Sequence, residues 1–409
     1  MNSNEKTDYN YKNFLEKNSF ETLNINLNFG GKESKPLVKI GTHVAKGELI
    51  AGGNNVPNIF SPFSATIKDF KKIRTDADNI VSSHIELERI TDGKKLPFIK
   101  PNELKSPLDF LIKIEQQGVI DCQQNCDIYA ELHQKIGKIK NLLVNCYDSD
   151  EYTKTLKFLF ENKIKEIVNL TKNLNKIFSF RSICFIYDFS QEEVVLKYKK
   201  LFEKNDILNV LFIPVKNKFD YKIKLKIHFK SFELSTKNMS KKHTLYFDLK
   251  TYFDIFVAIV ENRPITYTFI TLNGDAIHNT GVLKMPIGVS IREIIEYAKT
   301  KNSYEYIDSY VYNALEAQND KMAFEKEISE ETDELKKAEL TMLMNKKDDE
   351  AQQHIFSKRE EILEYYNNCL GLVYEVIGNS AIGVFSQYNV INQATSGVIM
   401  LTRNTVKKL

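Results

Sequence analysis

The chain has no tryptophan among its 409 residues. Set beside its wealth of lysine, asparagine, isoleucine and phenylalanine, that lack is a compositional bias without a functional message. It also lacks any apolar run approaching the roughly 18 residues a membrane-crossing helix needs, so no transmembrane segment is expected. Its opening residues, MNSNEKTDYNYKN, hold no apolar core of the kind a secretory leader carries. The expected location is therefore cytoplasmic, compatible with peripheral attachment at the inner face of the cell membrane. Cysteine is sparse: Cys122, Cys126, Cys146, Cys184 and Cys369, an odd number at scattered spacings, which excludes a disulfide framework. A strong excess of either charge is missing too, with 57 Lys and Arg against 54 Asp and Glu. A net charge of +3 is too small to point to nucleic acid as a partner. What remains, 42% hydrophobic and 27% charged residues, is ordinary for a globular protein with room for several cores.

The stretch that organises the chain is 141–152, NLLVNCYDSDEY. Leu142, Leu143 and Val144 form a short apolar run with strand character. It stops in a polar turn of Asn145, Cys146, Tyr147, Asp148, Ser149, Asp150 and Glu151, and a helical pattern follows at once. Open α/β sheets place ligands where a buried strand opens into such a turn. Asp148, Asp150 and Glu151 would repel a phosphate and favour a cation, a ribose hydroxyl or the edge of a flavin ring. Carboxylates also complement the positive end of a helix, so a solvated acidic helix start accounts for them as well.

Around this stretch the texture divides the chain into an α/β multidomain protein. Residues 1–24 read as a polar tail, flexible or helical. Residues 25–100 read as short strands punctuated by Gly and Pro, with Gly41 and Gly47 at tight turns that need positive φ. The span from Leu37 to Glu88 resembles a barrel-sandwich hybrid, the fold of lipoyl and biotinyl carriers. Its hairpin tip, Asn54 to Asn58, has no lysine to carry a swinging group, so a packing module is expected. Residues 101–235 alternate helical and strand patterns, which implies a mostly parallel sheet covered by helices. They run as a helix capped by Ser106 and followed by Gly118, the strand LLVN, a helix over 152–163, strands EIVNL and SICFIYDF, the helix EEVVLKYKKLFE and the strand NVLFIPV. Residues 221–240 alternate like a half-buried strand.

Residues 236–300 read as a helix from Tyr246 onward, the strand TYTFITLNG, a turn at Gly274, the strand GVLKMPIG and a helix capped by Ser290. Glu293 stands where it would complete a capping box with Ser290. This pattern resembles an SLBB domain, a small β-grasp module. Residues 301–370, dense in Glu and Lys, read as an inserted hairpin of two antiparallel helices joined near Asn345–Asp349. Its face is solvated, with an apolar stripe that could dock a partner. Residues 371–409 return to strands and turns.

Cys122, Cys126 and Cys146, with His133 nearby in sequence, form a weak candidate metal set. The Cys-x₃-Cys spacing is looser than the common pair and no second pair exists, so free, partly buried thiols are the plainer reading.

Taken in order, these modules resemble RnfC, the C-type component of the Rnf ion-translocating electron-transport complex. The match rests on PLVKIGTHVAKGELIA with SPFSATI, on ENRPITYTFITLNG with PIGVSIREII, on LLVNCYDSDEY, and on VIGNSAIG with INQATSGVIML. It covers most of residues 35–300 and again 375–402. The resemblance implies a central domain like the flavin subunit of respiratory complex I, partner subunits in a membrane electron-transport complex, and a vestigial flavin or nucleotide site at Asn145, Asp148 and Asp150. Two departures shape the expectation. The family's glycine-rich loop, which lets backbone approach FMN and nucleotide, is replaced by Asp121, Cys122, Gln123, Gln124, Asn125 and Cys126. The cysteine runs that hold the family's two [4Fe–4S] clusters have no counterpart in these 409 residues. The expectation is a degenerate, non-catalytic scaffold or docking subunit with neither FMN nor a [4Fe–4S] cluster. The alternatives are an oxidoreductase subunit that still binds a flavin or NADH at loops 121–126 and 145–151, or a protein like the A-type component of a sodium-pumping NADH:quinone reductase.

Overall fold

A computed structural model describes residues 12–13, 20–29, 31–74, 81–91, 93, 96, 103–122, 126–148, 153–221, 223–224, 243–273, 281–290, 293–294, 325–331, 333–357, 373–377, 381–384 and 398–401. Together these make a mixed α/β protein with several sheets, one of them wholly parallel.

The described residues from 20 to 89 form strands and turns. β1 (Thr22–Asn26), β2 (Leu49–Gly53), β3 (Val56–Phe60), β4 (Ala65–Arg74) and β5 (Val81–Arg89) are its main members. One antiparallel sheet runs β1-β5-β4 and ends on the two-residue strand His43–Val44. A second joins Lys35–Pro36, β2 and β3. Alternation in β1 sends Leu23 and Ile25 inward, the period a half-buried strand requires. The turn at Asn54 and Asn55 closes the β2–β3 hairpin, with Asn55 at φ 59°. Gly41 and Gly47 take φ of +83° and +81°, as the turn reading expects.

The central layer is built from α1 (Pro107–Gln116), α2 (Ile128–Leu132), β6 (Asn141–Asn145), α3 (Thr155–Asn162), α4 (Ile164–Phe178), β7 (Ser182–Asp188), α5 (Glu192–Lys204), β8 (Val210–Val215), β9 (Thr244–Asp248) and α6 (Leu249–Ile259). The strands form a parallel sheet in the order β8-β7-β6-β9. All five residues of β6 are buried, which is why it reads as a continuous apolar run. Ser106 caps α1 by accepting from the Asp109 N–H at 3.1 Å, and Gly118 follows at φ +70°. Every residue of α6 is buried, so it is the helix the other layers close around. Aromatic rings fill the helix-facing side of the sheet: Phe185 packs on Phe212 at 5.5 Å, on Phe202 at 5.8 Å and on Tyr198 at 6.2 Å.

Two sequence expectations fail in this layer. EIVNL is not a strand; it lies inside α4, whose buried side repeats at Ile167, Val168, Thr171, Leu174 and Phe178, a helical period that a five-residue window hides. Tyr246, Phe247 and Asp248 do not begin a helix but end β9, so the parallel sheet takes its fourth strand from beyond residue 235. The expected strand over 221–240 lies almost wholly outside the described residues, and Tyr221 itself is helical.

The last sheet pairs β10 (Tyr267–Asn273) antiparallel with β11 (Gly281–Pro286). It also holds β12 (Val373–Ile377), β13 (Ala381–Val384) and β14 (Val398–Leu401), the last parallel to β10. Lys12 and Asn13 of the polar tail pair with β11, so the tail is neither wholly flexible nor helical. The capping box stands as read: the Ser290 N–H and hydroxyl both donate to Glu293 Oε2 at 2.8 Å, and the Glu293 N–H donates back to Ser290 Oγ at 3.2 Å.

The chain divides into two compact units, one of 1–273, 279–297 and 373–400, the other of 274–278, 298–372 and 401–409. In the second, α7 (Glu334–Ser357) is one continuous helix. It runs straight through Asn345–Asp349, where the sequence suggests a hairpin turn; KKDDE holds neither Gly nor Pro to stop it. Among the described residues no helix is long and apolar enough to cross a membrane.

Candidate functional site

The strand order places a switch point in the parallel sheet. From β6 the chain steps to β7 and then β8 on one side, and β9 returns to the other side of β6. The crevice at such a reversal, outside the carboxyl ends of the strands, is where open α/β sheets hold ligands. Asn145 and Asp248 are register partners at that edge, and both are buried.

The side chains at the edge are turned on their own backbone. The Asn145 amide donates to Tyr147 O at 3.3 Å and accepts from the Tyr147 N–H at 3.1 Å, which folds the turn back on itself. Asp148 accepts from the Leu156 and Lys157 N–H groups at 3.0 and 2.9 Å and so caps α3 across a gap of eight residues. Asp248 caps α6 by accepting from the Thr251 N–H at 2.6 Å; burial pushes its carboxyl up, and that hydrogen bond opposes the push. Thr271 of β10 ties the turn from the far side, accepting from the Lys154 N–H at 2.9 Å and lying 3.0 Å from the Thr155 hydroxyl. Tyr147 stacks on Tyr221 at 5.5 Å, and the Tyr221 and Tyr246 hydroxyls lie 3.2 Å apart. Asp150 and loop residues 123–125 lie outside the described residues.

Behind this edge sits a charged group that sequence reasoning missed. Lys250, in the first turn of α6, reaches Asp254 Oδ2 at 2.9 Å and Cys122 Sγ at 3.2 Å. Cys122 Sγ lies 3.8 Å from Asp254 Oδ2, and its N–H donates to Thr251 Oγ1 at 3.1 Å. Lys250, Asp254 and Cys122 are all fully buried. Burial acts against the ammonium, but the Asp254 carboxylate and the Cys122 sulfur outweigh it and hold Lys250 above the ordinary lysine range. Burial pushes the Cys122 thiol up as well. Asp254 Oδ1 is buried without a hydrogen-bond partner. The available signal was a Lys and an Asp four residues apart in LKTYFDIFVAI, a helix too apolar to have a solvated side.

The candidate thiols are separated by role. Cys122 faces α6, whereas Cys146 Sγ lies 3.9 Å from Val144 O and burial pushes its thiol well up. Cys126 belongs to a two-residue strand paired with Ile120–Asp121, and its side chain is not among the described ones. His133 is exposed, 5.5 Å from the Tyr129 ring. Among the described residues no three His, Cys, Asp or Glu side chains converge as a metal-binding group.

No family model matches the chain. Two curated relatives do, each named as the C component of an ion-translocating oxidoreductase complex. The protein from Pasteurella multocida (strain Pm70) is 20% identical over 287 residues, covering 68% of this chain and 34% of its own length. That from Haemophilus influenzae (strain PittEE) is 22% identical over 278 residues, covering 66% and 42%. The chain is thus similar to RnfC at the level of a distant relative, and the match spans between a third and a half of the relatives' length. Among solved structures, two states of an NAD+-reducing [NiFe]-hydrogenase are similar. The H2-reduced one has 10% identity and a TM-score of 0.41, covering 48% of this chain and 40% of its own; the air-oxidised one has 11% and 0.38, covering 48% and 39%.

Proposed function

We propose that the chain is an RnfC-like component of a membrane-associated electron-transport complex, acting at the cytoplasmic face as a scaffold or docking subunit without a flavin of its own. Likeness to RnfC over two thirds of the chain supports the place in the complex. One structural observation carries the rest: at the switch point Asn145, Asp148 and Asp248 are spent on the chain's own backbone. The residues there do not fit a flavin phosphate. Cys122 is buried where the family's loop would need glycine, and Asp121, Asp148 and Asp248 supply negative charge where a phosphate needs N–H groups. On this reading residues 25–100 are a barrel-sandwich hybrid and β10 and β11 belong to an SLBB β-grasp module; both present surfaces to partner subunits.

The test is the visible absorption spectrum and native mass of the purified chain, with and without added FMN and NADH. A colourless protein of bare polypeptide mass that recovers electron-transport subunits in a native pull-down is the expected result. A bound flavin would overturn the cofactor-free reading and turn attention to Asn145, Asp148 and Asp150. Failure to recover any redox subunit would overturn the scaffold reading.

A further inference from the structure

The buried group of Lys250, Asp254 and Cys122 has no part in the scaffold role, yet it holds reactive atoms in contact. Lys250 and Asp254 stand one turn apart on α6, so their side chains share a face. Cys122 follows the two-residue strand Ile120–Asp121, and its N–H donates to Thr251 Oγ1 at 3.1 Å, which holds its backbone against α6. Lys250 Nζ lies 3.2 Å from Cys122 Sγ and 2.9 Å from Asp254 Oδ2, and that oxygen is 3.8 Å from the sulfur. An amine, a carboxyl and a thiol thus touch in pairs. The other described thiols are placed differently: Cys146 Sγ meets Val144 O at 3.9 Å, and Cys184 Sγ meets Ser182 Oγ at 3.5 Å.

Asp254 is only half satisfied, because its Oδ1 is buried without a hydrogen-bond partner. Burial pushes its carboxyl up, so it is a ready acceptor for a proton. One proton passed from the Lys250 ammonium across 2.9 Å removes both buried charges and leaves a neutral amine. That amine has its nitrogen in contact with a sulfur, which makes it a nucleophile already in place. Thiols oxidise to sulfenic acids, and sulfenic acids condense with nitrogen nucleophiles to sulfenamides. Burial keeps the Cys122 thiol protonated and screened from solution, so oxidation proceeds slowly, through local opening. The same burial excludes the small thiols that would otherwise consume a sulfenic acid, and it leaves Lys250 beside the oxidised sulfur.

We propose that Cys122 and Lys250 form a peroxide-dependent covalent bridge, a sulfenamide between Sγ and Nζ. Hydrogen peroxide passes one oxygen to the Cys122 sulfur, giving the sulfenic acid and water. The Lys250 nitrogen, its extra proton held by Asp254, then attacks that sulfur. The S–N bond forms, the S–O bond breaks, and the departing hydroxyl leaves as water with a proton from the nitrogen. Sulfur gives up two electrons and peroxide takes them. Two molecules of a small thiol reverse the step, restoring the thiol and the amine and leaving as their own disulfide. The bridge ties the end of the strand Ile120–Asp121 to the first turn of α6, so the layer behind the switch point becomes sensitive to oxidants. Nothing in this chemistry depends on the scaffold role or on the absence of a flavin.

The test is peptide mapping by mass spectrometry of the full chain treated with hydrogen peroxide, its remaining thiols blocked with iodoacetamide before digestion. The expected product is a pair of peptides joined through Cys122 and Lys250, lighter by two hydrogens than their sum. It should be absent from untreated protein and lost on incubation with dithiothreitol. Cys122→Ser, a small change that leaves the fold intact, should abolish it. Lys250→Arg, which keeps a cation beside Asp254 but has no primary amine, should abolish it too and stop Cys122 at a sulfur oxyacid. Cys184→Ser, away from the group, should leave the joined pair unchanged. The proposal is overturned if Cys122 stays a free thiol, if it is oxidised while Lys250 keeps its amine, or if it closes a disulfide with Cys126. A joined pair that retains an oxygen between sulfur and nitrogen overturns the condensation step.

Discussion

Among the described ion pairs, that of Lys250 and Asp254 is the one with both side chains fully buried, which makes it costly to disturb. Each is a charge taken wholly out of water, and each is tolerable only because the other stands 2.9 Å away. Lys250→Met leaves a buried carboxylate with one oxygen already unpartnered, so a loss of about 3–5 kcal/mol is expected in urea unfolding. The double variant Lys250→Met with Asp254→Leu removes both charges and should recover most of that loss. A double variant no more stable than the single one would show that the pair does more than neutralise itself. Lys284 makes the opposite case. Burial first, and Arg263 after it, hold its pKa at about 8 against the ordinary 10.5. The folded chain therefore sheds this proton before the unfolded chain does. Between these two values the unfolded state binds more protons, so stability at this residue rises with pH across the window, and below about 8 the charge is a cost. Unfolding free energies of wild type and Lys284→Met, measured from pH 7 to about 10.5, should show the wild type gaining on the variant as pH rises. A constant difference would contradict this.

Among the elements, the turn after β6 shows how a motif can be legible while its use is not. The apolar run, the polar stop and the following helix were all readable, because strand and helix periods differ and the acidic turn separates them. What Asp148 does was not readable, because it caps α3 from eight residues away and only the folded loop brings it there. Asp148→Ala frees two N–H groups and should cost about 1–2 kcal/mol in chemical denaturation, while Asp148→Asn, which keeps an acceptor, should cost less. Equal losses would remove the capping role. Local caps such as Ser106 and the Ser290–Glu293 box were legible because donor and acceptor lie within one turn. β9 was not: TLYFD runs into α6 without a breaker, and a short apolar run directly before a helix reads as part of it. The buried ion pair of α6 escaped for a related reason, since burial on every side is a property of the packed layers and not of the helix alone.

At the scale of the whole molecule, the first unit breaks off at 297 and resumes at 373, where β12, β13 and β14 complete the sheet begun by β10 and β11. The intervening segment contains α7, where Leu335 and Met342 are exposed among Glu and Lys. A segment whose described residues contribute no strand to the sheets of the first unit should be removable without unfolding them. Replacing residues 298–372 with a flexible Gly/Ser linker of about 12 residues should leave the thermal midpoint of the first unit within a few degrees, provided the linker lets β12 to β14 return to the sheet. The same variant separates two roles. If the scaffold acts through α7, recovery of partner subunits is lost while the melting transition stays. If it acts through the strand modules, recovery persists. A first unit that no longer melts cooperatively would mean that the segment is part of the fold, and that the second unit cannot be understood as an insertion at all.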